Sequence, residues 1–215
     1  MIFDSIWPTA HETQITSNLL QALVHSGSYL VGVFDGAKIV GASFAFPSID
    51  PEIHLHSHMT AFIDSHRDQG LGTKIKMHQW EWAKARGYAS ITWTFDPLVR
   101  RNARLNILKL GADLVSYEQN FYGEMADELN TGDESDRLIV RWDTSGSAPE
   151  PRPEIEEPPY DAELIPLPLD IVELRRTDPA LARSYRAEVR EAFLGAFAAG
   201  KKVVGFSAHN EYVLE

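Results

Sequence analysis

Three histidines alternate in one short stretch of the sequence, at His54, His56 and His58. Side chains two residues apart on a β-strand point to the same face, so a strand here would present all three imidazoles together. A neutral imidazole can accept a proton from an ammonium group, which makes His56 and His58 candidates for a general base, with Glu52 as a reserve. Two other interpretations remain: a partly buried structural ladder, and a three-histidine zinc site, although tight metal sites usually take ligands from more than one element.

A glycine-containing turn follows the histidines, with the sequence Arg-Asp-Gln-Gly-Leu-Gly-Thr at residues 67–73. Its two glycines allow a tight turn, and a helix that begins there offers free backbone N–H groups and the positive end of its dipole. Such a turn can bind a phosphate group. A dinucleotide-binding fingerprint would need a third glycine where Ile75 stands, and the Gly-Lys-Ser/Thr of a P-loop is absent too. A turn that serves only to start a helix is the alternative.

The hydrophobic pattern predicts the elements that must position these groups. Apolar residues at helical spacing indicate an amphipathic helix over 12–25, and the next two β-rich runs are joined by Asp35-Gly36, which favours a hairpin. The histidines fall on the following strand, and the glycine turn leads from that strand into a helix. The pattern predicts a mixed α/β fold with strands at 29–34, 39–46, 53–63, 90–95, 113–121 and 137–142, and helices at 70–86 and 102–110.

The chain is expected to form one core followed by an appendage. The core spans residues 1–143, and residues 144–170 form a connection with seven prolines, which favour an extended, semi-rigid chain with little core. Residues 171–215 carry a predicted helix over 179–199 and a small hairpin at 203–206 and 211–214. Because so few residues rarely fold alone, we expect them to pack on the core or on a partner subunit.

The composition limits the classes of partner. The chain has 31 acidic and 20 basic residues, and a net charge of −11 argues against nucleic acid and anionic membranes as partners. An anionic cofactor would therefore depend on local groups such as the basic residues Lys74, Lys76, Arg100 and Arg101. The alternative is that these four residues are ordinary solvated charges. The absence of cysteine excludes disulfides and a cysteine nucleophile. No apolar run approaches the roughly 20 residues of a membrane span, and no secretory signal is evident, so a cytoplasmic location is expected.

The sequence resembles the GNAT superfamily of N-acetyltransferases and, within it, an uncharacterised family of predicted acetyltransferases. The turn matches the superfamily pattern Arg/Gln-x-x-Gly-x-Gly/Ala, and the order of helices and strands is similar. The resemblance implies a GNAT fold, with a central, mostly antiparallel mixed sheet flanked by helices. It also implies acetyl-CoA as co-substrate, no metal, and direct attack of an amine on the thioester. The narrower resemblance is carried by Leu55-His56-Ser57-His58-Met59, Ile91-Thr92-Trp93-Thr94-Phe95-Asp96-Pro97-Leu98, Arg101-Asn102-Ala103, Leu110-Gly111-Ala112, Asn120-Phe121-Tyr122-Gly123 and Asp136-Arg137-Leu138.

The resemblance also implies where the cofactor binds. In the superfamily, the strand before the turn and the strand after the next helix separate, and the pantetheine arm inserts between them. The segments 63–66 and 91–95 would line that arm. Asn102 is expected to cap its helix, whereas Asn106 is expected to contact CoA. The residues expected to bind the cofactor are Ile63, Arg67, Gln69, Gly70, Leu71, Gly72, Thr73 and Asn106.

Catalytic roles follow from the same resemblance. His56 and His58 stand at the distance from the turn at which arylalkylamine acetyltransferases carry a histidine pair, so they are the implied general base. The catalytic tyrosine of the superfamily is replaced by Ile107. Tyr122, or Tyr117, is the substitute proton donor, and a buried tyrosine with a structural hydrogen bond is the alternative.

The N-terminus looks shortened, since only residues 3–7 stand where the superfamily has a strand and a helix. The main expectation is an acyltransferase that acts on a small-molecule or peptide amine. The alternative is a GNAT-fold protein that binds acyl-CoA as a sensor or scaffold without turnover. Because many relatives dimerise, a homodimer is a further expectation.

Overall fold

The computed structural model describes residues 2–6, 15–67, 69–123, 125 and 133–215. A 3-10 turn covers Asp64–His66, and a π-helical segment, Arg104–Lys109, continues the fourth helix. Within the described residues the helices are α1 Ile2–Ile6, α2 Ser17–His25, α3 Leu71–Lys84, α4 Arg100–Ala103, α5 Ile171–Thr177 and α6 Pro179–Ala198. The strands are β1 Tyr29–Asp35, β2 Lys38–Ser48, β3 His54–Phe62, β4 Ser90–Phe95, β5 Asp113–Glu118, β6 Arg137–Asp143, β7 Glu163–Pro166, β8 Val203–Phe206 and β9 Glu211–Leu214.

These strands form two sheets in the described part of the chain. The larger sheet has the strand order β1-β2-β3-β4-β6-β5. Its β1–β2, β2–β3 and β5–β6 pairs are antiparallel, whereas β3 and β4 run parallel. The smaller sheet, β7-β9-β8, is antiparallel. A central, mostly antiparallel sheet flanked by helices confirms the predicted mixed α/β fold.

The chain divides into two compact units, of which the first contains residues 1–93 and 142–148. Its core lies between the sheet and the N-terminal helices, where buried side chains of β2 and β3 pack with Phe3 of α1 and Leu20 of α2. Burying these apolar side chains is what holds two short helices on the sheet, since helices of this length are marginal alone.

The N-terminal helices differ from the sequence prediction. The Thr16 hydroxyl accepts a hydrogen bond from the Leu19 N–H at 3.3 Å, and this cap fixes the start of α2 at Ser17. The prediction that residues 15 and 16 belong to the helix is therefore wrong; its predicted start at residue 12 lies outside the described part of the chain. The short helix α1 was not predicted, because five residues carry too little periodicity to reveal it.

The second unit contains residues 94–141 and 149–215. Its core includes an aromatic cluster in which Phe193 of α6 packs against Tyr117 of β5 and Tyr212 of β9, with ring centroids 5.5 Å and 4.9 Å apart. The predicted C-terminal helix and hairpin both form, and β7 adds a third strand beside β9. The aromatic cluster thus joins the C-terminal helix to strands from both sheets.

The proline-containing connection makes specific contacts inside the second unit. The backbone N–H of Arg152 donates to the Leu108 carbonyl at 2.7 Å, and its guanidinium binds Asp113 at 2.6 Å. Gly111 has φ +56°, and a Cβ there would clash with the carbonyl of Glu150. The strand β7 also lies within residues 144–170. Its pairing with β9 supplies hydrogen-bond partners to a backbone that the prolines keep extended. The domain boundaries at 143 and 170 stay a prediction.

The helix α4 begins earlier than the pattern indicates. Val99 occupies its N-cap position without a side-chain hydrogen bond, and the Asn102 N–H donates to the Val99 carbonyl at 2.9 Å. Asn102 therefore lies inside the helix, and the prediction that it caps the helix is wrong.

Candidate functional site

β3 and β4 are paired over a short length and then separate. Their register joins Leu55 with Ile91 and His56 with Thr92, and it contains no further pair among the described residues. Both strands continue beyond these pairs. We call the part of the two strands beyond His56 and Thr92, where no strand pairing joins β3 to β4 among the described residues, the fork. Backbone groups that strand pairing does not engage can bond to an inserted chain.

A β-bulge directs the histidines of β3. The β2–β3 register shifts between Phe44 and Ala45, which leaves His58 as the extra residue on β3. The ring of Phe46 packs against His56 and against His58, with centroids 5.2 Å and 5.7 Å apart. The two imidazoles therefore lie on the same face of β3, and their centroids are 6.0 Å apart.

The surroundings keep both imidazoles neutral. His56 is half-buried, and its Nδ1 lies 3.3 Å from the Thr92 hydroxyl at the mouth of the fork. Burial, with smaller effects from the charges of His58, Lys76 and His54, lowers the pKa of His56 to about 4. Partial burial also lowers the pKa of His58, which is the more exposed of the pair. At pH 7 both rings can accept a proton.

His54 differs from the other two histidines because it is buried and bonded to the backbone. Its Nδ1 lies 2.9 Å from the carbonyl oxygen of Glu52. Among the residues that the structure describes, no group of three or more His, Asp or Glu side chains could hold a metal ion. His54 therefore makes a structural contact, whereas His56 and His58 lie beside the fork.

The glycine turn places the first backbone amides of α3 at its end. Gly70 is the N-cap residue, with φ +73°, and no side chain caps the helix. The first hydrogen bond of the helix runs from the Lys74 N–H to the Gly70 carbonyl at 3.2 Å. The N–H groups of Leu71, Gly72 and Thr73 precede that bond, so helix geometry gives them no partner within α3. Together with the helix dipole they form an anion-binding end.

Other predicted cofactor residues shape this turn. Arg67 forms an ion pair with Asp64 at 2.8 Å, and the Gln69 amide donates to the Ser65 carbonyl at 3.0 Å. The Ile63 N–H donates to a β2 carbonyl at 3.0 Å. These bonds fasten the segment between β3 and α3, so the turn keeps a defined position at the end of the strand.

Lys76 occupies a place that the sequence prediction did not give it. It was grouped with solvated basic residues, but it is only 8% exposed. Its Nζ donates to the Ser57 hydroxyl at 2.6 Å and lies 4.0 Å from the centroid of the Trp93 ring. Burial lowers the pKa of Lys76 to about 7. The interpretation of Lys76 as an ordinary solvated charge is wrong, because its face of α3 packs against the sheet.

In the second unit, Tyr122 is partly exposed and its hydroxyl lies 3.0 Å from the Thr94 hydroxyl of β4. The segment that carries it is held by Ser135, whose hydroxyl accepts from the Tyr122 N–H at 2.9 Å and donates to the Gly123 carbonyl at 2.8 Å. The guanidinium of Arg137 lies 5.2 Å from the Tyr122 ring centroid. Tyr122 is thus a positioned hydroxyl beside β4.

Three other predicted positions of the second unit are buried. The Tyr117 hydroxyl donates to Asp136 at 2.6 Å, and burial together with that carboxylate raises its pKa. Tyr117 therefore matches the structural alternative. Ile107 is fully buried, and an isoleucine side chain has no hydroxyl that could act as a proton donor. Asn106 is 4% exposed in the π-helical segment, a form that is frequent at functional sites.

An ionic cluster of two acids and two arginines, Asp96, Asp133, Arg175 and Arg186, lies in the second unit. Arg186 contacts Asp96 at 2.9 Å and Asp133 at 2.7 Å, and Arg175 also binds both carboxylates. Each of the four side chains is at most 8% exposed. Burial would raise the pKa of Asp96, but Arg186 and Arg175 hold it well below its usual range. The sequence offered one signal: Arg186 falls in the apolar stripe of α6.

No described helix combines the length and the apolar character that a membrane crossing requires.

Comparison with known proteins gives one family and a common fold. The model of the acetyltransferase (GNAT) family matches residues 2–111. The ribosomal-protein-S18-alanine N-acetyltransferase of Escherichia coli is similar in structure, with a TM-score of 0.52 and 16% identity over 67% of this chain and 86% of that one. Naa50 of Arabidopsis thaliana, in complex with the bisubstrate analogue CoA-Ac-MVNAL, has a TM-score of 0.51 and 13% identity over 65% and 87%. Identities this low show the fold alone. No curated protein matches the chain.

Proposed function

Because this chain belongs to the acetyltransferase (GNAT) family, we propose that it transfers an acetyl group, or another short acyl group, from acetyl-CoA to an amine. The observation that carries the proposal is the fork between β3 and β4, followed by the first-turn amides of α3, which have no partner within that helix. The fork offers a slot for a linear arm, and the amides offer a site for a pyrophosphate. The CoA-containing analogue bound to Naa50 is consistent with acyl-CoA as the donor.

The turn supplies most of the proposed cofactor contacts. Backbone N–H groups neutralise phosphate charge without a cationic side chain, which suits a chain with a net charge of −11. A glycine at φ +73° lets the chain reverse there and leaves open space above it. We propose the following residues for the cofactor: Ile63, Arg67, Gln69, Gly70, Leu71, Gly72, Thr73 and Asn106.

His56 and His58 are the proposed general base, and Tyr122 is the proposed proton donor. The neutral imidazoles take a proton from the ammonium group of the acceptor, and the freed nitrogen attacks the carbonyl carbon of the thioester. The C–S bond breaks, and its electron pair goes to sulfur. The Tyr122 hydroxyl gives a proton to the thiolate and regains one from solvent, while His58, the more exposed imidazole, releases its proton to water.

Calorimetric titration with acetyl-CoA and CoA tests the cofactor site. In a Gly70→Trp variant the new side chain strains the cap and covers the amides. The matched control is Gly87→Trp, because Gly87 has φ +74° and equally open space at the other end of α3. We expect Gly70→Trp to weaken binding at least tenfold while the control binds like the wild type.

Two outcomes would contradict the proposed site. A folded wild-type protein that binds neither ligand removes the acyltransferase function and leaves only the fold. Equal losses in the two variants would mean that strain in α3, rather than the amides, governs binding.

The buried Ile107 favours a second candidate function, an acyl-CoA-binding protein without turnover. The two functions differ in the effect of replacing His56 and His58 together by alanine. An enzyme loses turnover and keeps CoA affinity. A wild-type protein that binds acetyl-CoA but acylates no amine in a broad panel of small amines and peptides supports the binding protein instead.

A further inference from the structure

Lys76 reaches the point at which β3 and β4 separate. The last paired residues are His56 and Thr92, and the next residues along the two strands are Ser57 and Trp93. The Nζ of Lys76 donates to the Ser57 hydroxyl at 2.6 Å and lies 4.0 Å from the Trp93 ring centroid. One ammonium group therefore contacts both arms of the fork at its closed end.

The charge of Lys76 has no carboxylate partner among the described residues. Its other contact is the Gln79 side-chain oxygen at 3.4 Å, and the Gln79 amide nitrogen, fully buried, has no hydrogen-bond partner. Lysine is almost never buried without an acidic partner, because its charge loses the solvation of water. A buried cation of this kind attracts an anion that forms nearby.

We propose that Lys76 is the charge partner of the CoA thiolate at the closed end of the fork. This inference rests on the proposed function. In that reaction the amine nitrogen bonds to the carbonyl carbon, the C–S bond breaks, and sulfur carries the electron pair as a negative charge. The Lys76 ammonium lies where the fork would hold that sulfur, and it stabilises the charge without transferring a proton.

The electrostatic setting suits this role. Burial lowers the pKa of Lys76 to about 7, so the unliganded protein holds the ammonium at a cost that a neighbouring anion would offset. From β3, His56 is the titratable group that senses the Lys76 charge, and its own pKa is low enough to keep it neutral. On β4 the neighbouring residues Thr92 and Trp93 are uncharged.

The ionisation of bound CoA tests the proposal without any acceptor. The thiolate is followed by its ultraviolet absorbance while the complex is titrated with base, in the wild type, in Lys76→Met and in Lys84→Met. Lys84 is exposed at the far end of the same helix and serves as the matched control. An opposite charge nearby lowers an acid pKa by roughly 1 to 3 units, so we expect the acid dissociation constant of the bound thiol to be at least about tenfold larger in the wild type than in Lys76→Met. Lys84→Met should behave like the wild type.

Three results separate this inference from the function on which it rests. Absence of CoA binding by the wild type overturns the proposed function itself. Equal thiol ionisation in wild type and Lys76→Met, with CoA bound to both, overturns the role of Lys76 alone. If Lys76→Met fails to fold, the wild type still decides: at pH 8 the fraction of thiolate, read from its ultraviolet absorbance, should be about tenfold higher in bound CoA than in free CoA, and equal fractions contradict the proposal.

Discussion

Replacing Arg186 by methionine is the sharpest test of how the second unit is held together. Arg186 makes ion pairs with Asp96 at 2.9 Å and with Asp133 at 2.7 Å, and it is 2% exposed. Methionine fills much of the same space but removes the charge. One of two buried carboxylates then loses its compensation, since Arg175 alone remains in the ionic cluster.

The expected cost follows from that imbalance. Removing one partner from a buried ion pair destabilises a protein by about 3–5 kcal/mol, out of a total stability of about 5–15 kcal/mol. With a urea dependence of roughly 1–3 kcal/mol per molar, the unfolding midpoint should fall by at least about 1 M. Urea titration followed by circular dichroism measures this shift, and Arg183→Met is the control because Arg183 is exposed on the same helix.

A second substitution makes the test specific to charge. Arg186→Met combined with Asp133→Asn removes one positive and one negative charge, so the double variant should recover part of the loss seen in the single variant. A loss below about 1 kcal/mol in Arg186→Met would refute the reasoning, because an uncompensated buried charge cannot cost so little.

The stability that Arg186 contributes depends on pH, and the sign of this dependence is defined. The pKa of Asp96 lies below its usual range in the folded protein. The ion pair therefore contributes stability above the unfolded pKa of about 3.9, and that contribution is lost as the pH falls through the folded value. The difference between the wild type and Arg186→Met should be largest above about pH 4 and should shrink in acid.

Three further predictions concern the site and the proline-containing connection. Because the pKa of His56 is about 4, the kcat/KM of the wild type should fall in acid with a midpoint near pH 4. A midpoint near pH 6.5 would exclude His56 as the general base. His56→Ala should lower kcat by roughly 10²-fold or more in an acetylation assay. Tyr122→Phe should lower kcat to a similar extent with unchanged CoA affinity, and full activity would exclude it as proton donor. In thermal unfolding, Gly111→Ala should cost more than Gly36→Ala, since both positions have similar positive φ but only Gly111 faces the Glu150 carbonyl; equal losses would contradict that contact.

Local patterns predicted the elements that create the fork. The predicted strands at 53–63 and 90–95 alternate or carry β-branched residues, and these features depend on a few neighbouring side chains. The turn at 67–73 was visible because two glycines and a following amphipathic run are local signals. The sheet and the glycine turn were therefore accessible from the sequence.

What the sequence did not reveal depends on contacts between distant residues. The strand β7 forms only because β9, far along the chain, pairs with it. The residue type of Lys76 suggests a solvated or phosphate-binding charge, although its spacing from Trp80 and Ala83 places it on the buried face of α3. The helix α5 was missed even though Asp170 caps it, because the prolines before it suggested an irregular chain.

Synthesis on the ribosome presents the acids of the ionic cluster long before their partners. Arg186 follows Asp96 by 90 residues, and at about 5–20 residues per second that separation lasts roughly 5 to 18 s. During this interval Asp96 has no arginine of α6 to neutralise it, and Asp133 waits for the last 53 residues of the same interval, so water must solvate both carboxylates. The second unit of this protein can close only after α6 has been synthesised, so the order of synthesis delays the folding of residues around Asp96 that were made much earlier.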